Sequence, residues 1–355
     1  MTSATLRRQR LLRQQLLAPQ FSTPGALVRH FGAVQAQDYR GALWALGQRL
    51  PHAVEADVEA AIASRTIVRT WPMRGTLHFV AATDVYWMLP LLTPRVLARS
   101  AGRYSELGLD EAAFKRSRTI LLRRLRDGRR LTRPEAYAAL ERGGVSPQGQ
   151  RGIHILAHLA QQGLLCLGPW QGRQPTFLLL EEWIPPRKAL ARDAALAALA
   201  TRYFASHGPA TVHDFAWWSG LPVKEAQQAI ASAAPRLLRD GSGCWSSPEA
   251  RELGRQAPAQ AALLPPWDEF LVSYKERSAA LEGLRPSMQG VGSPLILVDG
   301  RVKGAWRRTL TPTSVHLKLD LWTKLTPTER RALEKAVEGY GRFLGRDLRV
   351  SYLDT

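Results

Sequence analysis

Gln35 and Gln37 stand two residues apart in Gly32-Ala33-Val34-Gln35-Ala36-Gln37-Asp38-Tyr39-Arg40, and two amides at that spacing can do a definite piece of chemistry. In extended backbone, residues i and i+2 point to the same side. The pair then presents two carbonyl acceptors and two NH2 donors, which can hold a water molecule or a base edge without carrying charge. Two glutamines in a connector are also ordinary polar loop residues, and the residues alone favour that plainer reading. Asp38 beside them is either an acid-base group or the N-cap of the helical pattern that follows. The cap is the better reading, because Asp38 directly precedes that pattern.

A second candidate is the run from Arg74 to Val80, flanked by Ile67-Val68-Arg69-Thr70-Trp71. Alternation places Arg74, Thr76, His78 and Val80 on one strand face and Met73, Gly75, Leu77 and Phe79 on the other. The first face is polar and partly cationic, suited to a phosphate backbone. The plainer reading, favoured by the residues alone, is a solvated hairpin edge with His78 closing a local hydrogen bond. Other templates fail: there is no Gly-x-Ser-x-Gly and no Gly-x-x-x-x-Gly-Lys-Ser/Thr. His154 and His158 are four apart but lack the Glu of a metalloprotease helix, so they read as lining a helix face. Trp217, Trp218, Trp267 and Trp306 read as core anchors.

The elements around these residues repeat. A leucine pattern predicts an opening helix to Leu17, and Thr23-Pro24 starts another. Helices over 41–50 and 57–64 precede the hairpin. A second round runs through a helix from Phe114 to Arg126, a capped start at Thr132-Arg133-Pro134-Glu135, a helix from Gln150 to Gln162 and a hairpin over 164–179. A third has helices from Ala189 to Ser206, after Thr211 and from Lys224 to Ala234, then two short strands. Beyond Pro248 come short apolar segments, including Phe270 to Tyr274, the hairpin dipeptide Asp299-Gly300 and a helix from Pro327 to Phe343.

The expected fold class is α+β, predominantly helical, with three tandem winged-helix (helix-turn-helix) domains followed by a small C-terminal β-rich, barrel-like domain. The expected division is 1–100, 101–187, 188–250 and 251–355.

Charge points to the partner. The chain has 355 residues with 49 Lys and Arg against 30 Asp and Glu, a net +19, and a pI of about 10.8. That is the electrostatic footprint of a nucleic-acid binder. Arginine supplies the excess, in Arg7-Arg8-Gln9-Arg10, Arg123-Arg124-Leu125-Arg126, Arg129-Arg130 and Arg307-Arg308, and its planar fork suits phosphate. Two distant cysteines argue against a disulfide scaffold or a thiolate zinc site. No secretory signal or spanning segment is evident, so a soluble, cytoplasmic and nucleoid-associated protein is expected.

Four segments carry a resemblance: Val34-Gln35-Ala36-Gln37-Asp38, Trp71-Pro72-Met73-Arg74-Gly75-Thr76-Leu77-His78, Leu264-Pro265-Pro266-Trp267-Asp268-Glu269-Phe270, and Val298 to Arg308. On these, over nearly its whole length, the chain resembles the AlkZ/YcaQ family of DNA glycosylases. The family's catalytic motif is Gln-x-Gln in one branch and Gln-x-Asp in the other, so the resemblance makes Gln35 and Gln37 the catalytic residues. It implies removal of N7-alkylated guanine and unhooking of N7-linked interstrand crosslinks in double-stranded DNA, with no cofactor and no metal. It also implies that Arg74, Thr76 and His78 lie against DNA. Arg40, Arg69, Arg307 and Arg308 are the further cations expected to contact DNA, and a monomer is expected. The rival is a non-catalytic tandem winged-helix transcription regulator, which shares the charge and the helix-turn-helix units but needs neither glutamine. A protein-binding scaffold draws little support from +19.

Overall fold

The computed structural model describes residues 1–188, 190–248, 259–284, 290 and 292–353. Contacts divide the chain into two compact units, Met1–Val58 with Leu196–Thr355, and Glu59–Ala195. Both mix helices with mainly antiparallel strands.

The first unit opens with α1 (Ser3–Arg13). This helix is shorter than the leucine spacing predicts, because Gln15 and Ala18 take positive φ and the chain turns there. The Thr23 hydroxyl accepts from the Ala26 N–H at 3.3 Å and starts α2 (Pro24–Phe31). Gly32 ends α2 at φ 80°, where an added Cβ would also stand 3.5 Å from Trp218. The connector is partly extended, as expected: β1 (Ala33–Gln35) leads to α3 (Tyr39–Gly47). Next, α4 (Glu55–Ala63) carries the chain into the second unit.

There β2 (Ile67–Met73) and β3 (Thr76–Ala81) pair antiparallel. Arg74 and Gly75, at φ 55° and 73°, make the two-residue turn between Met73 and Thr76, the conformation that suits strand twist. Then come α5 (Val85–Arg99) and α6 (Ala101–Glu106). Sequence pattern misses α5 because Pro90 and Pro94 lie inside it. The unit continues with α7 (Glu111–Leu125), β4 (Leu131–Thr132), α8 (Arg133–Arg142), α9 (Arg151–Gln161), β5 (Leu165–Gln171), β6 (Gln174–Leu179) and α10 (Leu180–Trp183). The Thr132 N–H donates to the Glu135 carboxylate at 2.7 Å, closing the predicted capping box. Strands of this unit run in the order β3-β2-β5-β6-β4. Leu121, Leu125, Ile155, Leu159, Leu165 and Phe177 are central to its core.

The chain returns to the first unit through α11 (Arg192–Ser206), α12 (Val212–Ser219) and α13 (Val223–Ala233), then β7 (Leu238–Arg239) and β8 (Trp245–Ser246). Ala189, the expected start of α11, and the expected boundary at 250/251 lie outside the described residues. Thr211 and Asp214 cap α12 reciprocally. The remainder is β9 (Ala261–Leu264), α14 (Glu269–Val272), α15 (Ser278–Leu281), β10 (Leu295–Val298), β11 (Arg301–Leu310), β12 (Ser314–Leu321), α16 (Pro327–Leu344) and β13 (Asp347–Tyr352). Phe270 to Tyr274, expected among the strand-like segments, instead begins within the short helix α14. The sheet order is β13-β12-β11-β10-β9. Among the described residues no pairing joins the edges β13 and β9, where a barrel-like closure was expected.

One order recurs along the chain: helix, short strand or bridge, two helices, two strands. It appears as α2-β1-α3-α4-β2-β3 and as α7-β4-α8-α9-β5-β6. The third instance is α11, the bridge residue Ala210 opposite Trp245, α12, α13, β7 and β8.

Candidate active site

The residues around Gln35 are assembled from both ends of the first unit. Strand β9 is held by two indoles: Trp44 Nε1–H donates to the Leu263 carbonyl at 2.7 Å, and Trp306 Nε1–H to Leu264 at 2.9 Å. The chain then turns through Pro265-Pro266-Trp267 into α14. Trp267 sits at φ 57°, a conformation uncommon for a bulky residue.

Behind this turn lies a buried pair of carboxylates. Asp268 accepts from both Arg49 terminal nitrogens, at 2.6 and 2.9 Å. Arg49 also donates to the carbonyls of Gln14 and Ala45, at 3.0 and 2.7 Å. Pairing of this bidentate kind is what keeps two buried charges tolerable.

Glu269 is 1% exposed. Its Oε1 accepts the main-chain N–H of Gln35 at 2.8 Å. Its Oε2 accepts the Trp218 indole N–H at 3.1 Å and the Ser273 hydroxyl. His207, wholly buried, places Nε2 3.4 Å from Oε2, off the direction of a hydrogen bond. Burial lowers the His207 pKa, against the pull of Glu269. Tyr203 stacks on the His207 ring at 4.8 Å, and the Tyr274 hydroxyl donates to the His207 carbonyl at 2.8 Å.

Gln35 is thus clamped by its backbone while its side chain is left for other work. The amide Oε1 is buried and accepts no hydrogen bond within the protein, a situation that costs free energy unless something else supplies the donor. Gln37 is exposed. Asp38 takes the N-cap position of α3, as expected, but its side chain makes no capping bond. Instead it lies 3.7 Å from Arg308, whose other terminal nitrogen donates to the Tyr340 hydroxyl at 2.6 Å. Gly41 permits this, since a Cβ there would stand 2.6 Å from the Asp38 carboxylate.

The cations divide by burial. Arg40 and Arg307 are exposed, whereas Arg308 is half-buried and engaged as described. In the second unit Arg74 is half-buried at the hairpin turn, 3.3 Å from His78 Nε2. His78 is wholly buried and bonds the Thr76 carbonyl through Nδ1 at 2.9 Å. That bond makes Nδ1 the protonated nitrogen and Nε2 the acceptor from Arg74. Arg69 is 6% exposed, and His78 and Val80 are fully buried, so the polar face expected of this hairpin narrows to Arg74 and Thr76 beside the turn, both half-buried.

Other expectations divide as well. His158 stacks on Phe114 with ring centres 3.7 Å apart, a packing role on a helix face. Trp218 and Trp306 are core anchors, but Trp217 and Trp267 are 46% and 36% exposed and are not. Arg7 and Arg10 are buried, donating to the Ala279 and Pro209 carbonyls at 3.0 and 3.1 Å. A groove of about 690 Å³ behind α3, lined by Trp44, Gln48, Arg331, Lys335 and Arg342 among others, includes neither Gln35 nor Gln37.

Sequence reasoning missed Arg49, His207, Trp218 and the work of Asp268 and Glu269. The available signal was two adjacent acids between Trp267 and Phe270 in an apolar run. Such acids are rarely buried unless paired.

The profile of the family described as DNA glycosylase AlkZ-like matches residues 28–343. The chain belongs to the AlkZ-like DNA glycosylase family. As a member it is an enzyme of the DNA glycosylase class, and its substrate is DNA. It is similar to the interstrand DNA cross-link repair glycosylase of Streptomyces sahachiroi, 26% identical over 326 residues, 83% of this chain and 85% of that one. The structure of Streptomyces sahachiroi DNA glycosylase AlkZ matches its fold with a TM-score of 0.80 at 23% identity, covering 99% of this chain and 100% of the other. Among the described residues of this AlkZ-like chain, no group of three or more His, Cys, Asp or Glu is arranged to hold a metal ion. No described helix is long and apolar enough to cross a membrane.

Proposed function

We propose that this chain hydrolyses the N-glycosidic bond of cationic N7-alkylguanine in duplex DNA, N7-linked interstrand crosslinks included, with Gln35 and Gln37 as its catalytic residues. The observation that carries the reading is Gln35 itself: backbone fixed by a buried carboxylate, amide oxygen buried and free to accept from a water or a sugar-face donor.

The chemistry suits neutral amides. Alkylation at N7 makes the guanine a cation, so when C1′–N9 breaks its electron pair neutralises the base and no general acid is needed. The sugar becomes oxocarbenium-like, water adds at C1′, and the water's second proton leaves to solvent, giving an abasic site and the free base. Two amides can orient that water and lend carbonyl dipoles to the positive sugar, so positioning and electrostatics carry the rate. Neutral lesions such as uracil would lack the built-in leaving group and react poorly.

The recurring element order supports a reading of the chain as three winged helices followed by a β-rich C-terminal domain, and a monomer is the assembly proposed. Arg40 and Arg307 are the exposed cations that would meet phosphate. Arg74 and Thr76 would do so at the hairpin turn. His78 and Arg69 would act by supporting that hairpin, and Arg308 by holding Asp38.

The test is single-turnover excision on a duplex with one N7-methylguanine, followed by alkali, comparing wild type with Gln35→Ala and Gln37→Ala. Loss of cleavage of about 100-fold or more with DNA binding intact is expected. Tight binding without cleavage of this lesion or of an N7 crosslink would instead overturn the assignment of N7-alkylguanine as the substrate.

A further inference from the structure

The strongest unassigned feature is the buried carboxylate under the Gln-x-Gln segment. We propose that Glu269 is the positioning residue of this site, acting through Gln35 by accepting its main-chain N–H; this rests on the reading of Gln35 as catalytic. The segment Gly32 to Asp38 contains three strand residues, ending at Gln35, and then bends, so where the Gln35 amide points depends on what holds the main-chain N–H at that bend. A bond of 2.8 Å to Oε1 supplies that definition.

The anchor is itself rigid. Oε2 takes the Trp218 indole N–H and the Ser273 hydroxyl, and the Glu269 carbonyl takes Gln14 Nε2–H at 3.3 Å. Trp218 is wholly buried and Ser273 likewise, so neither donor can swing away. Asp268, one residue earlier, is locked by Arg49. The Gln35 N–H is thereby referenced to the middle of the unit's core.

Both carboxylate oxygens face donors, which makes the role separable from mere charge. A glutamine at 269 keeps one acceptor and gains one donor. With Trp218 present, that NH2 must oppose either the indole N–H or the Gln35 N–H. Trp218→Phe removes the fixed donor, and the Ser273 hydroxyl can then rotate to accept, which lets the new carbonyl face Gln35.

Four variants test this: Glu269→Ala, Glu269→Gln, Trp218→Phe and Glu269→Gln/Trp218→Phe. Each is read by single-turnover excision of N7-methylguanine at saturating enzyme, by duplex affinity, by thermal melting and by hydrogen exchange at the Gln35 amide. Displacing the amide by about 1 Å is worth on the order of 100-fold in rate, so that is the loss expected for Glu269→Ala and Glu269→Gln, with duplex affinity little changed and faster Gln35 exchange. The double variant should return to within about fivefold of Trp218→Phe, with Gln35 exchange slowed again. If Glu269→Ala does not fold, the comparison of the double variant with Glu269→Gln still separates the outcomes.

Two results overturn the proposal: full excision by Glu269→Ala, or a double variant as slow as Glu269→Gln although its Gln35 amide is protected. The second would mean that the charge matters rather than the bond. Unchanged excision by Gln35→Ala would instead remove the underlying reading, and is distinguishable because it leaves the Glu269 hydrogen-exchange result standing.

Discussion

Two arginine-rich stretches that look alike on paper do opposite jobs. In Arg7-Arg8-Gln9-Arg10, Arg7 and Arg10 are buried: Arg10 lies with its guanidinium 3.6 Å from the Tyr274 ring centre and 3.9 Å from Asp214. On α7, Lys115, Arg116, Arg118, Arg123 and Arg124 are all exposed along one helix. The first set is internal wiring of the unit that holds Gln35; the second is available to a polyanion. Net charge therefore overstates the surface available to DNA, and burial is what sorts the arginines.

The comparison is sharpened most by breaking buried arginine pairs of the unit that holds Gln35. Asp268→Ala strands the Arg49 guanidinium in the core, and such a loss costs about 3–5 kcal/mol, read as a drop in unfolding free energy in urea. Arg10→Ala should likewise lower stability while leaving the salt dependence of DNA binding unchanged. Exchanging Arg116, Arg118, Arg123 and Arg124 for Gln should do the reverse. With about 0.9 lost from the log–log salt slope for each phosphate contact removed, the slope falls by up to about 3.6 while melting barely moves. A slope that stays put would erase the distinction between the two stretches.

Arg308→Gln is expected to cost at most about 1 kcal/mol, because its pair with Asp38 is half-exposed and screened. The same variant should slow excision modestly by loosening the chain after Gln37.

A further effect comes with pH. Burial pulls the pKa of His30 down to about 4 and that of His158 likewise to about 4, and it lowers that of His207. Between about 4 and 6.5 the unfolded chain then binds more protons than the folded one. Stability is full above the unfolded value and falls as pH drops through that window, which melting at pH 7 and pH 5 will show. His158→Phe keeps the stack on Phe114 and should flatten part of the decline.

Much of the fold could be read from caps and periodicity. Thr23-Pro24, Thr132 with Glu135, and Thr211 all mark helix starts where expected, because a cap is a local hydrogen bond between near neighbours. Helix α5 was hidden by Pro90 and Pro94, whose helical setting is decided by packing rather than by propensity. Of the candidate site only the glutamine pair was legible, and its role comes from the family resemblance rather than from the residues alone. Gln35 and Gln37 stand out as a motif, but Glu269 lies 234 residues from Gln35 in sequence, and no local pattern links them. The exposed face predicted for β3 is cut short for a related reason: alternation reports the polarity of Arg74, Thr76 and His78, not that the strand becomes fully buried from His78 on.

The second unit interrupts the first, which is completed only when Leu196–Thr355 joins Met1–Val58. During synthesis the glutamines emerge early, and the carboxylate that grips Gln35 emerges more than two hundred residues later. Chains cut short before Glu269, by a stalled ribosome or a protease, therefore carry the Gln-x-Gln motif and the basic α7 helix but not the Gln35 clamp.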